Sequence, residues 1–168
     1  MATRKPPANE PRTTPGKAAV VDALRASLAR DLEAVDAAAH AARDASTHPE
    51  NKPENDKDTR AIEAGYLAGA QAARAAELKR TLHDVERADL RAFTLLALTE
   101  VVAGAETALL LLLSPWGGGQ KVAVDGCKVQ IVTPQSPLGA ALKGKAAGDD
   151  VDVAVAGRVR SLSIISAW

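Results

Sequence analysis

Four carboxylates lie in one short segment, HPENKPENDKDTR at positions 48–60: Glu50, Glu54, Asp56 and Asp58. Carboxylate oxygens suit Mg²⁺, which takes one or two from a protein and completes its octahedron with water and phosphate oxygens. Such a segment can also complete a two-metal site in a partner protein that clamps a phosphodiester. Three basic residues reduce the net charge of the segment to −1: Lys52, Lys57 and Arg60. A solvated turn is therefore the competing interpretation, because charge runs usually lie in solvent.

Apolar spacing on both sides predicts two helices that position this segment. From Lys17 to about Ala45 the apolar residues follow a near-heptad stripe: Val21, Leu24, Leu28, Leu32, Val35, Ala39 and Ala42. From about Thr59 to Arg87 a second stripe runs along Ile62, Tyr66, Gly69, Ala73 and Ala76, and then Leu78, Leu82 and Val85 continue in a shifted register. Two stripes joined by a short polar turn favour an antiparallel hairpin. We expect a narrow probe that displays the carboxylates at a tip near residues 47–58.

After about Ala88 the apolar period changes from 3.6 to 2, which predicts strands. The runs FTLLALTEVVAG and ETALLLLLSP come first, and KVAV and KVQIVT then flank Asp125-Gly126, a strong hairpin-turn signal. In SPLGAALKG, Ser136 can cap a short helix and Pro137 suits its first turn. GDDVDVAVAG and RSLSIIS complete the pattern. The fold class is therefore predicted as α+β, a helical hairpin followed by a small antiparallel sheet with one short helix.

The composition predicts three parts and excludes several function classes. Residues 1–16 are polar and Pro-rich, which is typical of a disordered tail, and residues 17–88 and 89–168 form the hairpin and the sheet domain. The 168 residues carry 21 basic and 21 acidic side chains, a balance that argues against an indiscriminate nucleic-acid binder. The four aromatic residues are too few for a base-stacking platform.

Neither a membrane anchor nor a secretory signal is predicted. No apolar run approaches the ~20 residues of a membrane span, and the N-terminus lacks the apolar core of a signal peptide. The single cysteine, Cys127, cannot form an intramolecular disulfide and is expected to act as a small buried hydrophobe. A cytoplasmic location fits these features.

The segment VTPQSPLGAALKGKAAGDDVDV, residues 132–153, resembles the C-terminal signature of the Gre family of bacterial transcription elongation factors. The matching steps are a Ser-Pro-hydrophobic opening of a helix at position 136, an Ala-Leu-x-Gly-Lys at positions 141–145, and a Gly-Asp at positions 148–149. The layout of residues 17–168, a helical hairpin before a small sheet domain, is also similar to that family.

The resemblance implies an FKBP-like C-terminal domain and binding to bacterial RNA polymerase at its secondary channel. By this resemblance the polymerase-docking region contains Ser136, Pro137, Leu138 and Gly139. Glu54-Asn55 matches the Glu-Asn of the family's tip motif, where acidic residues help the polymerase hold a second Mg²⁺ during cleavage of a backtracked transcript. Two tip positions depart from the family pattern, because Asn51 replaces an Asp and Asp58 replaces a Tyr.

The resemblance also sets the expected site and cofactor. Glu54, aided by Glu50, Asp56 or Asp58, is the candidate catalytic carboxylate, and Glu54 and Asp58 are candidate ligands of the Mg²⁺ in the polymerase. Asn55 is expected to contact the partner. The chain is not expected to be an enzyme or to bind a cofactor by itself, and the nascent RNA 3′ end is reached only through the polymerase.

Three functions remain open at this point. The first is an elongation factor that promotes transcript cleavage and rescues backtracked complexes, and the second is a non-catalytic channel binder that regulates or inhibits transcription. The third is a structural rod that dimerises through the heptad-like first helix. The first two predict a monomer.

Overall fold

The computed structural model describes residues 14–47, 60–102, 105–155 and 157–168. Three α-helices are present in these ranges, α1 at Lys17–Thr47, α2 at Arg60–Arg87 and α3 at Pro137–Leu142, together with a short 3₁₀ helix at Leu90–Ala92. Six strands accompany them: β1 at Thr94–Val102, β2 at Ala105–Leu113, β3 at Lys121–Val124, β4 at Cys127–Val132, β5 at Asp150–Val155 and β6 at Arg158–Ala167. The predicted α+β class, with a helical pair before a sheet and one short helix, is confirmed.

The chain divides into two compact units. One contains residues up to Leu24 together with Ala88–Trp168, and the other is Arg25–Arg87. The beginning of α1, with the fully buried Val20, Val21 and Leu24, thus belongs to the same unit as the sheet. The predicted tail falls mainly on residues 1–13, which lie outside the described residues.

The helical unit is an antiparallel pair. The guanidinium of Arg25 donates to the carbonyl oxygen of Val85 at 3.2 and 3.4 Å, which brings the first part of α1 beside the end of α2. Further along, Asp36 and His40 of α1 share a groove with Ala72 of α2. The α1 stripe is buried within the single chain at Leu28, Ala39 and Ala42. This burial covers the seam that motivated the dimeric-rod hypothesis.

The predicted apolar stripe of α2 is wrong in its first half. Ile62 and Tyr66 are 58% and 78% exposed, and Gly69, Ala73 and Ala76 are exposed as well. The buried residues of α2 lie on a different heptad seam: Ala68, Ala75, Leu78 and Val85. Alanines on this seam let the two helices approach closely, and the seam is continuous with the later leucine and valine positions.

The sheet has the strand order β3-β4-β2-β1-β6-β5. The sequence predicted a wholly antiparallel sheet, and one pairing differs. β4 runs parallel to β2, with Leu110 opposite Val129 and Leu112 opposite Ile131, so the sheet is mixed. β4 lies between β2 and β3, and β3 is the edge strand. Accordingly β4 is mostly buried, whereas Lys121 and Ala123 of β3 are exposed. The pairing was missed because both hairpin strands are largely apolar, so their sequences do not specify which of them pairs with β2.

The predicted Asp-Gly turn joins β3 and β4. Asp125 and Gly126 have φ values of 50° and 78°, as a two-residue hairpin turn of type I′ requires. Cys127 follows the turn and is buried, which confirms the prediction of a small buried hydrophobe.

Each face of the sheet carries buried apolar residues. One face packs against α3 in a cluster of ten buried residues: Leu96, Leu98, Leu111, Val132, Leu138, Leu142, Val151, Val153, Leu162 and Ile164. The opposite face contributes a second buried set: Leu95, Leu110, Leu112, Val122, Val129 and Ile131. None of the described helices is long and apolar enough to cross a membrane.

Candidate functional site

The acidic tip predicted from the sequence lies outside the described residues. This holds for the carboxylates Glu50, Glu54, Asp56 and Asp58, and for the neighbouring Asn51 and Asn55. The structure describes the helices on either side, with α1 ending at Thr47 and α2 beginning at Arg60. Which tip carboxylates come together therefore stays a prediction.

The predicted docking segment is described in full, and Ser136 organises it. The Ser136 hydroxyl accepts a hydrogen bond from the Gly139 amide at 3.0 Å and donates one to the Thr133 carbonyl at 2.8 Å. The Ser136 amide also donates to the Thr133 carbonyl at 3.0 Å. Ser136 is thus the N-cap of α3, and Pro137 occupies the first turn, as the sequence predicted.

Gly139 is required by a close approach of the backbone. A Cβ built on Gly139 would lie 1.9 Å from the Thr133 carbonyl oxygen and 2.7 Å from the Thr133 carbonyl carbon. Real Cβ atoms do not come this near to backbone, so any larger residue would push α3 away from the turn before it. The role of Gly139 is internal to the fold.

Exposure separates the docking segment into supporting and accessible residues. Leu138 and Gly139 are buried, and Leu138 belongs to the apolar cluster beneath α3. Pro137, Ala140 and Lys143 are exposed, and Ser136 is half-buried. A partner docking here would touch Pro137 directly, whereas Leu138 and Gly139 would shape the surface from below. Ala140 and Lys143 were not part of the docking region predicted from the sequence. Their three-residue spacing from Pro137 places them on the same helix face as Pro137.

The later part of the signature connects the α3 region to the sheet. Asp149 accepts a hydrogen bond from the Ala146 amide through Oδ2 at 2.9 Å. The Gly148 amide donates to the Ile164 carbonyl at 2.8 Å, and the Ile164 amide donates to the Asp149 carbonyl at 2.9 Å. The Gly-Asp step thus closes the turn before β5 and fixes that turn to β6.

A partly buried ion pair was not predicted from the sequence. Glu100 on β1 is 8% exposed, and its two carboxylate oxygens accept hydrogen bonds from the Arg160 guanidinium of β6 at 2.5 and 2.7 Å. These hydrogen bonds lower the pKa of the Glu100 carboxyl, burial opposes the change, and the positive charge of Arg160 lowers the pKa further. The available signal was the alternation Leu96, Leu98, Glu100, which puts the carboxylate on the buried face.

Residues in the described ranges do not gather into a metal site. No group of three or more histidine, cysteine, aspartate or glutamate side chains is placed there to hold an ion. The expected Mg²⁺ ligands Glu54 and Asp58 lie outside those ranges. Their contribution to a metal site therefore stays a prediction.

No protein-family model matches the sequence, and a search of curated proteins found no match. Among solved structures, the chain is similar to the crystal structure of the GreA factor homolog 1 (Gfh1) protein of Thermus thermophilus. The identity is 16% and the TM-score 0.34, over 87% of this chain and 95% of that one. For the crystal structure of Thermus aquaticus Gfh1 the identity is 15% and the TM-score 0.34, over 87% of this chain and 94% of that one. For a structure of the transcription factor Gfh1 the identity is 18% and the TM-score 0.33, over 89% of this chain and 93% of that one.

Proposed function

We propose that this protein is a Gre-like transcription factor that binds bacterial RNA polymerase at its secondary channel. In this proposal the α1–α2 pair inserts its acidic tip toward the polymerase active site and promotes cleavage of backtracked transcripts. The protein acts as an accessory factor in the cytoplasm. It binds no metal of its own, and the Mg²⁺ belongs to the polymerase.

One observation carries the proposal. Residues that match the family signature have defined structural roles in the α3 region. Ser136 caps the helix, and Asp149 closes the turn before β5. Gly139, which lies in the docking region that the resemblance implies, leaves no room for a Cβ. A sequence match at positions with such demands indicates the same local fold, and it supports a shared docking surface around Pro137.

The antiparallel helix pair suits delivery of a carboxylate into a narrow channel. The buried residues of the α1 and α2 seams beyond Leu24 lie in one compact helical unit, and α1 and α2 contain 31 and 28 residues. At 1.5 Å per residue each helix spans on the order of 40 Å. A carboxylate between their ends, with Glu54 as the first candidate, could supply one or two oxygen ligands to a Mg²⁺ in the polymerase.

The chemistry needed from the tip is limited. In a two-metal site the ions activate the attacking water and stabilise the leaving oxygen of the phosphodiester. Glu54, aided by Glu50, Asp56 or Asp58, would help to hold the second ion in that position. The polymerase supplies the remaining ligands and the RNA, so the chain needs no complete active site.

The alternative function is a non-catalytic channel binder that regulates or inhibits transcription. The two departures from the family tip favour it, since Asn51 and Asp58 replace the family's Asp and Tyr. A shift of one or two residues in a metal site can lose the required geometry. Such a protein would keep the dock and the helix pair and act by obstructing nucleotide entry or altering pausing.

The test is cleavage of a backtracked transcript by bacterial RNA polymerase in Mg²⁺, with and without the protein. We expect stimulated cleavage, and we expect Glu54→Ala to lose most of it. Glu33→Ala is the matched control, because Glu33 is an exposed carboxylate of α1 away from the tip. An equal rate for Glu54→Ala and the wild type would remove the role of Glu54.

A polymerase that binds the protein without faster cleavage would favour the alternative. Single-round elongation and initiation rates at saturating protein then decide whether the protein is a regulator. If neither rate changes, the regulatory function is wrong as well.

A further inference from the structure

Half of the second sheet face, opposite α3, is open to solvent. Strand pairing aligns Ala108, Thr99, Ser163 and Asp150 in one row across β2, β1, β6 and β5. The next row contains the pairs Glu106–Val101 and Ser161–Asp152. The acidic face is defined here as the open part of this surface: Glu106, Thr99, Val101, Val159, Ser161, Ser163, Asp150 and Asp152.

This acidic face has a one-sided charge. Its described residues include three carboxylates, Glu106, Asp150 and Asp152, and no basic side chain. Ser163 donates to Asp150 Oδ1 and Ser161 donates to Asp152 Oδ1, both at 2.6 Å. These hydrogen bonds hold the two β5 carboxylates in a fixed row while they remain exposed. Such a surface attracts a basic partner and repels nucleic acid.

Apolar residues lie between these charges. Val101 is 56% exposed and Val159 is 72% exposed. Ile165, at the β-bulge beside the acidic face, is 60% exposed. On the solvent side of an antiparallel sheet, polar residues are the usual choice. Exposed β-branched apolar residues on or beside a face that carries carboxylates therefore indicate a surface that takes a partly apolar, basic segment.

The chain contains such a segment before α1. Residues 1–13, MATRKPPANEPRT, carry Arg4, Lys5 and Arg12 against Glu10, a net charge of +2. They lead into α1, whose first residue lies near β1, since Lys17 Nζ donates to the Phe93 carbonyl at 3.3 Å. Thirteen extended residues reach ~40 Å, and the nine residues of β1 span ~30 Å. The segment is therefore long enough to reach Thr99 and Val101.

We propose that residues 1–13 bind the acidic face of the sheet, with Arg4, Lys5 and Arg12 near its carboxylates. The prolines of the segment suit an extended conformation lying over the exposed valines. Because the contact is between opposite charges at an exposed surface, it weakens as ionic strength rises. This inference is independent of the polymerase proposal.

A spin label in the N-terminal segment tests the proposal on the full chain. The label is placed at Ala8→Cys in a Cys127→Ala background, and the amides of the sheet are observed by NMR. We expect paramagnetic broadening on β5 and on the Val159–Ser163 part of β6 at low salt, and loss of that broadening at 1 M salt. Broadening that is absent at low salt, or spread equally over the α3 face, would overturn the proposal.

Charge variants supply the specific control. Asp150→Asn with Asp152→Asn keeps the oxygen acceptors for the two serines but removes the charges, and we expect loss of the broadening. Asp125→Asn, at the exposed β3–β4 turn, removes one carboxylate away from the acidic face and should leave the broadening intact. Equal broadening in the wild type and the Asp150→Asn, Asp152→Asn variant would contradict the proposal. If the Asp150→Asn, Asp152→Asn variant is unstable, the same contact is tested by the salt dependence of the broadening in the labelled protein without these two changes.

Discussion

Single residues of the docking segment act by shaping the fold, and only some of them can contact a partner. Gly139 allows the Thr133 carbonyl to come close, and Ser136 satisfies amide and carbonyl groups at the start of α3. The sequence predicted the cap because Ser-Pro before an apolar run is a helix-start signal. It could not predict the burial of Leu138 and Gly139, which depends on how α3 lies on a sheet built from distant strands.

Gly139→Ala is predicted to lower the free energy of unfolding by about 3 kcal/mol, the upper part of the range for overpacking. The cause is the 1.9 Å approach of the new Cβ to the Thr133 oxygen. Gly69→Ala is the matched control, because a Cβ there meets nothing within 4 Å. It should stabilise α2 by about 0.5–1 kcal/mol, from helix propensity. Urea unfolding measures both, and a Gly139→Ala protein as stable as the wild type would contradict the packing at α3.

The Glu100–Arg160 pair predicts a defined pH dependence. Because the folded-state pKa of Glu100 is lowered, its contribution to stability is complete above the unfolded carboxyl pKa of about 4.3. The contribution disappears as the pH falls through the folded-state pKa. The stability difference between wild type and Glu100→Gln should therefore be constant above about pH 5 and shrink below pH 4. Thermal unfolding from pH 2 to pH 7 checks this, and a difference that grows toward acid pH would show the opposite sign.

Elements were predicted more securely than their packing. Both long helices, all six strands and the Asp125-Gly126 turn follow from periodicity and turn chemistry. The first half of the predicted α2 stripe was wrong because Ala and small residues occur on several faces of that helix, so Ile62 and Tyr66 alone determined the predicted stripe there. The parallel β2–β4 pairing was also missed, since local sequence does not specify which strand of a hairpin lies beside a distant strand.

Matched substitutions on α2 test the revised seam. Leu78→Ala removes a buried side chain and should lower the free energy of unfolding by about 2–3 kcal/mol, since Leu78 is 4% exposed. Tyr66→Ala removes a larger but mostly exposed side chain and should change stability by less than about 0.5 kcal/mol. Urea unfolding followed by circular dichroism compares the two variants. A larger loss for Tyr66→Ala would restore the stripe predicted from the sequence.

At the scale of the whole molecule, the proposed function requires a docking surface for the polymerase and a helix pair that carries the acidic segment. The signature around α3 supports a docking surface, and the α1–α2 pair supports a carrier for the acidic segment between Thr47 and Arg60. The sequence predicted this organisation because each unit has its own period, 3.6 or 2. It could not select the working tip carboxylate, since spacing alone does not fix the geometry of a metal site completed by another protein.

Localised cleavage from the tip tests the proposed insertion most directly. An iron chelate attached at Glu54→Cys, in a Cys127→Ala background, generates hydroxyl radicals within a short distance of position 54. On a stalled bacterial elongation complex, we predict cuts in the backtracked RNA near its 3′ end and in the walls of the secondary channel. A chelate at Glu33→Cys should cut neither near the 3′ end nor at the active site. Binding to the polymerase without any tip-directed cut near the RNA 3′ end would contradict the insertion, whether the protein stimulates cleavage or inhibits transcription.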